Sequence, residues 1–153
     1  MLFPLVLGPY YVIRAAYKAL FGWWLDPLLQ RRKNQSLWND VQANLYSLYT
    51  GGVPIREKNP KILPFDYASV RLIFKNISFC FTRGRGELNV TLAPSIAPTD
   101  SHEFAVVIAA LDSRHIKPVN NFAEIASILR PRLDALNQAF SENCYPDFEK
   151  KLF

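Results

Sequence analysis

The chain has 153 residues and a mass of 17.5 kDa; half of the residues are hydrophobic, a fifth are charged and 14% are aromatic. That is apolar material for one core, which excludes a wholly disordered chain and an array of several domains. The net charge of +5 is unevenly placed: residues 1–33 hold five basic side chains against one acidic, and the other 120 hold thirteen against twelve. A nearly neutral body lacks the basic footprint expected of a nucleic-acid binder, so nucleic acid is not an expected partner.

The first segment reads MLFPLVLGPYYVIRAAYKALFGWWLDPLLQRRK and contains seven of the 21 aromatic residues. A membrane span needs about 20 predominantly apolar residues, but Pro4 and Pro9 precede a run that Arg14 and Lys18 interrupt and that Asp26 and Pro27 break. A secretory signal would place positive charge first, whereas the first charge here is Arg14. Helical spacing describes the segment better. Arg14, Lys18, Gly22 and Asp26 recur every four residues as one polar stripe, with Tyr10, Ile13, Tyr17, Leu20, Phe21, Trp24 and Leu25 around the rest.

Such a helix suits the plane of a bilayer interface, where aromatic rings sit at headgroup depth and Lys and Arg reach outward. Arg31, Arg32 and Lys33 follow as a cluster, and anionic headgroups attract such charges by about 1 kcal/mol each. Residues 1–33 are thus expected to form an aromatic, basic arm that contacts a membrane surface or a protein partner. Tyr10, Arg14, Tyr17, Lys18 and Phe21 are its contact residues, together with Trp23, Trp24, Arg31, Arg32 and Lys33. A helix packed against the body with its polar stripe in water explains the same pattern.

Residues 34–153 form the second unit, a single domain. Leu37, Val41, Leu45 and Leu48 repeat at helical intervals after Ser36, a candidate N-cap, and Gly51 and Gly52 end that helix. Pro54, Pro60 and Pro64 mark a connection over residues 53–64. The period then changes to two, with Val70, Leu72 and Phe74, then Ile77, Phe79 and Phe81, then Leu88, Val90 and Leu92. Three strands are expected, closed by Lys75–Asn76 and by Gly84 to Gly86, glycine tolerating the positive φ of such turns. Arg71, Asn89 and Thr91 alternate with the apolar set, so one face of the sheet should be wetter.

Asp100 with Glu103 resembles a capping box ahead of the apolar run Phe104 to Leu111, expected as a deeply buried helix. Asn121 with Glu124 repeats the pattern before Ile125, Leu129, Leu133, Leu136 and Phe140, a stripe that Pro131 kinks or divides. Pro146 can start a last short turn. The whole predicts an α+β fold: N-terminal helices, an antiparallel meander of three or more strands, and C-terminal helices packed on one face.

The stretch VRLIFKNISFCFTRGRGELNVTLAP, the apolar helix after it and the ending AFSENCYPDFEKKLF together resemble a family of short bacterial α+β proteins. The resemblance covers about residues 65–153 and rests on pattern. It implies a bacterial origin and an α+β fold and no particular activity.

Within that stretch, Arg83, Gly84 and Arg85 suggest an anion-binding turn, since exposed amides beside guanidinium groups bind phosphate or carboxylate. The string lacks the phosphate-loop and dinucleotide signatures, and a polar β-turn already explains its glycines. His102 and His115 have no further histidine or cysteine at ligand spacing, and Cys80 and Cys144 are too few and too far apart for a zinc site. No metal or other cofactor is therefore expected, and no catalytic residue is assigned. No nucleophile elbow or paired-carboxylate arrangement is evident either.

The leading expectation is a small non-enzymatic bacterial module in the cytoplasm, attached through its arm to a partner or to the inner face of the cytoplasmic membrane. Two alternatives stand beside it. One is an immunity-type protein-binding domain with the N-terminal helix in its core; the other is an anion-binding or enzymatic protein that uses the Arg83 to Arg85 turn.

Overall fold

The computed structural model describes residues 23–48, 55–56 and 67–153. Within them the order is helix α1 (Trp23–Leu45), a 3-10 turn (Tyr46–Leu48), strands β1 (Ile55–Arg56), β2 (Ala68–Phe74), β3 (Ile77–Gly84), β4 (Glu87–Pro94) and β5 (His102–Glu103). Helices α2 (Phe104–Asp112), α3 (Phe122–Leu129), α4 (Leu133–Ala139) and α5 (Tyr145–Glu149) complete the chain. The fold is α+β, with the helices after the strands covering one face of the sheet.

All strand pairs are antiparallel in the order β1-β2-β3-β4-β5. The registers Val70↔Phe81↔Val90 and Leu72↔Phe79↔Leu92 put the large apolar residues of the meander on one face, as the period of two requires, except Ile73, which pairs with Ser78 on the other face and is half-buried. Phe79, Phe81, Leu72 and Leu92 are fully buried there beside Leu37, Val41 and Leu45 of α1, Ile108 of α2, and Ile125 and Leu129 of α3. The opposite face carries Ser69, Arg71, Cys80, Thr82, Asn89 and Thr91. Cys80 therefore lies outside the apolar set, half-buried and 3.7 Å from Ser69 Oγ.

Both hairpins fall where the sequence puts them, but positive φ occurs at Lys75 (53°), Arg85 (51°) and Gly86 (85°) and not at Gly84. Two successive positive values at Arg85 and Gly86 make the twisted two-residue turn that matches strand twist. Gly84 is small for a different reason: the Tyr67 ring lies against it, and a Cβ would collide with that ring.

Helix α1 is longer than the repeat of leucines and valines predicts. It runs without a break through Pro27 and Ser36, so Ser36 sits inside the helix and is not its N-cap. The reason is that polar residues continue the inward stripe. Gln30 Nε2 donates to Tyr67 O at 2.6 Å, and Asn34 Oδ1 accepts from Ser69 N–H at 3.0 Å, so each satisfies a backbone group near the start of β2. The boundary between residues 33 and 34 falls within this helix.

Two further expectations change. Asp100 and Glu103 do not cap α2, because His102 and Glu103 instead pair with Leu92 and Thr91 of β4 as a short edge strand. His102 thus belongs to β5 and not to a first helical turn. Helix α2 is buried along one side only, through Phe104, Val107 and Ile108, while Val106 is 41% exposed. Asn121 does cap α3, its side chain accepting from Glu124 N–H at 2.8 Å, and the chain around Pro131 separates α3 from α4.

Replacing Asn34 with alanine leaves the buried Ser69 N–H without its acceptor, and leaving a buried donor unpaired costs about 1–3 kcal/mol. Urea unfolding of Asn34→Ala is expected to show that loss, whereas exposed Asn39→Ala on the same helix should stay within about 0.5 kcal/mol of the parent.

Candidate functional site

Three places hold the candidate residues. The first is the start of α1. Tyr10, Arg14, Tyr17, Lys18 and Phe21 lie outside the described residues. Trp23 and Trp24 belong to the helix by their backbone. Ahead of Gln30 the described side chains are Leu28 and Leu29, 51% and 49% exposed, and they precede exposed Arg31 and Arg32 and half-buried Lys33. At a rise of about 1.5 Å per residue, the first two turns of α1 extend roughly 10 Å ahead of Gln30, which bonds Tyr67 O just before β2. Leu28 and Leu29 did not stand out in the sequence because they follow a proline and precede a charged run.

The second place is the β3–β4 turn, and there the three predicted residues separate. Arg83 shares the helix-covered register with Leu88. Its Nη1 donates to Asp40 Oδ2 of α1 at 2.7 Å, and its guanidinium lies 5.6 Å from the Phe122 ring centroid of α3. Arg85 is exposed and lines a polar groove of about 360 Å3 with Tyr67, Thr82, Gly84, Glu87 and Asn89. The two arginines therefore do not share one pocket, and Glu87 adds negative charge beside Arg85. Arg83 ties α1 and α3 to the sheet. The pairing with Asp40, 43 residues away, leaves no trace in local spacing.

The third place was not anticipated as a unit. Asp100, His102 and Tyr145 converge where the segment after β4 meets the start of α5. The Tyr145 hydroxyl donates to Asp100 Oδ2 at 2.5 Å, and His102 Nε2 is 3.1 Å from the same hydroxyl oxygen and 3.5 Å from Asp100 Oδ1. Since the phenol's single hydrogen goes to Asp100, its oxygen accepts and His102 Nε2–H donates. Burial, then the hydrogen bond to Asp100, then the charges of Asp100 and Glu149 raise the Tyr145 pKa well above its ordinary value. The ring is stacked on Phe140 at 5.6 Å, and the Phe153 ring meets the His102 ring edge-on at 5.8 Å.

An apolar groove of about 310 Å3 lies between α2, α4 and α5, lined by Leu111, Ala139, Cys144 and Phe148 among others. Among the described residues no three of His, Cys, Asp and Glu gather as metal ligands. No helix among them is long and apolar enough to cross a membrane. Neither a protein-family model, nor a curated protein, nor a solved structure matches the chain.

Because the folded state holds the Tyr145 proton more tightly than the unfolded chain, its contribution to stability is complete below the unfolded phenol pKa of about 10 and fades as pH rises through the higher folded value. Thermal melts of the parent and of Tyr145→Phe between pH 8 and about pH 12 check this. The parent is expected to lose its advantage over the variant only above about pH 10, since the variant has no phenol to ionise.

Proposed function

We propose that the protein is an attachment module whose N-terminal arm docks the α+β body on an anionic membrane surface. The observation that carries this reading is the composition of α1 ahead of its clamp to β2. Leu28 and Leu29 are half exposed there, next to exposed Arg31 and Arg32, on a helix whose inward stripe from Asn34 to Leu45 is fully used by the core. Apolar side chains beside cations on one helix combine the two forces that hold a protein at a headgroup layer, burial of oily surface and attraction to anionic lipid. The five basic residues against one acidic over residues 1–33 give the same sign, and the nearly neutral body adds little repulsion or attraction of its own.

The body supports docking in a mechanical sense. Arg83–Asp40, the Arg83 contact with Phe122 and the two bonds from Gln30 and Asn34 fix α1 to the sheet, so a force on the arm passes directly into the fold. A module of this kind works by binding and needs no reacting group.

Flotation of the full chain with vesicles tests the reading. Binding is expected to phosphatidylserine-containing vesicles, to weaken with added salt, and to be much weaker with phosphatidylcholine alone. Arg31→Ala with Arg32→Ala removes about 1 kcal/mol per charge, a loss on the order of tenfold or more in affinity. Leu28→Asp with Leu29→Asp should abolish flotation. Equal flotation of parent and both double variants, or no flotation of the parent together with specific capture by a protein, overturns the membrane reading.

A further inference from the structure

We propose that Asp100, His102 and Tyr145 form a binding site for a hard first-row metal cation, with ferric iron the best match to their donors. The three groups come from separate places, the segment after β4, strand β5 and helix α5, yet the Tyr145 hydroxyl oxygen lies 2.5 Å from Asp100 Oδ2 and 3.1 Å from His102 Nε2, and His102 Nε2 lies 3.5 Å from Asp100 Oδ1. Ligand bonds of about 2.0–2.2 Å place neighbouring donors of one metal shell about 3 Å apart, the spacing that these contacts bracket, with one carboxylate oxygen toward Tyr145 and the other toward His102. Two of the three contacts are hydrogen bonds. The third, Asp100 Oδ1 to His102 Nε2 at 3.5 Å, exceeds the usual hydrogen-bond range and suits two ligands on one centre.

The donor set is one carboxylate, one phenol and one imidazole, so a bound cation meets two anionic oxygens and one neutral nitrogen. That mixture favours a hard or borderline ion over a soft thiolate-seeking one. The site is held in place before any ion arrives: Phe140 stacks on Tyr145 and Phe153 abuts His102. It is also reachable, because the Asp100 side chain is 39% exposed while that of His102 is 12% exposed. Three protein ligands leave open positions for water or for an exogenous anion.

Binding replaces a proton with the metal. The Tyr145 O–H bond breaks, its proton goes to solvent, and an iron–oxygen bond forms. His102 moves its ring proton from Nε2 to Nδ1 through solvent and uses the freed lone pair of Nε2, with no net proton loss. No electron is transferred. One released proton makes affinity fall about tenfold for each unit by which pH drops.

The test uses the full chain, freed of metal by chelation and titrated with ferric nitrilotriacetate. A visible phenolate-to-iron charge-transfer band saturating at one iron per chain is expected. Tyr145→Phe, which keeps the stacked ring, should lose the band, and Asp100→Asn should weaken binding at least about tenfold. A thermal melt checks that each variant is folded. Absence of the band in the parent overturns the site, as does a band that survives in folded Tyr145→Phe. If that variant does not fold, an unchanged band and affinity in folded Asp100→Asn and His102→Gln overturns the proposal equally.

Discussion

The sheet has one oily face, and covering it is the constraint on which the rest of the structure depends. Val70, Leu72, Phe79, Phe81, Val90 and Leu92 point the same way because side chains alternate along a strand, and water must be kept from all of them together. The C-terminal helices cover part of that face, and α1 supplies Leu37, Val41 and Leu45 for the rest. Helix α1 has 23 residues, about 35 Å of helix, and Gln30 and Asn34 tie it to the backbone at the start of β2.

Several polar residues that look functional in isolation serve this closure. Arg83 is held by Asp40 and by the ring of Phe122, which removes it from a shared pocket with Arg85. Both members of that ion pair are partly exposed, so its contribution is modest, of the order of 1 kcal/mol or less. Gly84 leaves room for the neighbouring Tyr67 ring. The attachment reading and the proposed metal site occupy different regions, the start of α1 and the α5 corner, and either can hold without the other.

What was legible in the sequence follows from the range of the underlying physics. The three long strands, both hairpins and the Asn121 cap are set by neighbours within a few residues, and the period of two and the turn residues reveal them. The true extent of α1 was not legible, because Gln30 and Asn34 are polar and their place on the inner face depends on the Tyr67 carbonyl and the Ser69 N–H, 37 and 35 residues away. Asp100 looked like a cap because it precedes a helix, but its partner is Tyr145, 45 positions on. Spacing rules capture contacts along one element and are blind to contacts that the fold alone creates.

The central proposal is that the arm at the start of the chain docks on a lipid surface. Emission from Trp23 and Trp24, isolated by Trp38→Phe in the full chain, tests it most directly. The account predicts indoles open to acrylamide quenching in buffer, whose emission shifts to the blue and becomes shielded when phosphatidylserine vesicles are added. Emission already blue and shielded without vesicles, and unchanged by them, would contradict it.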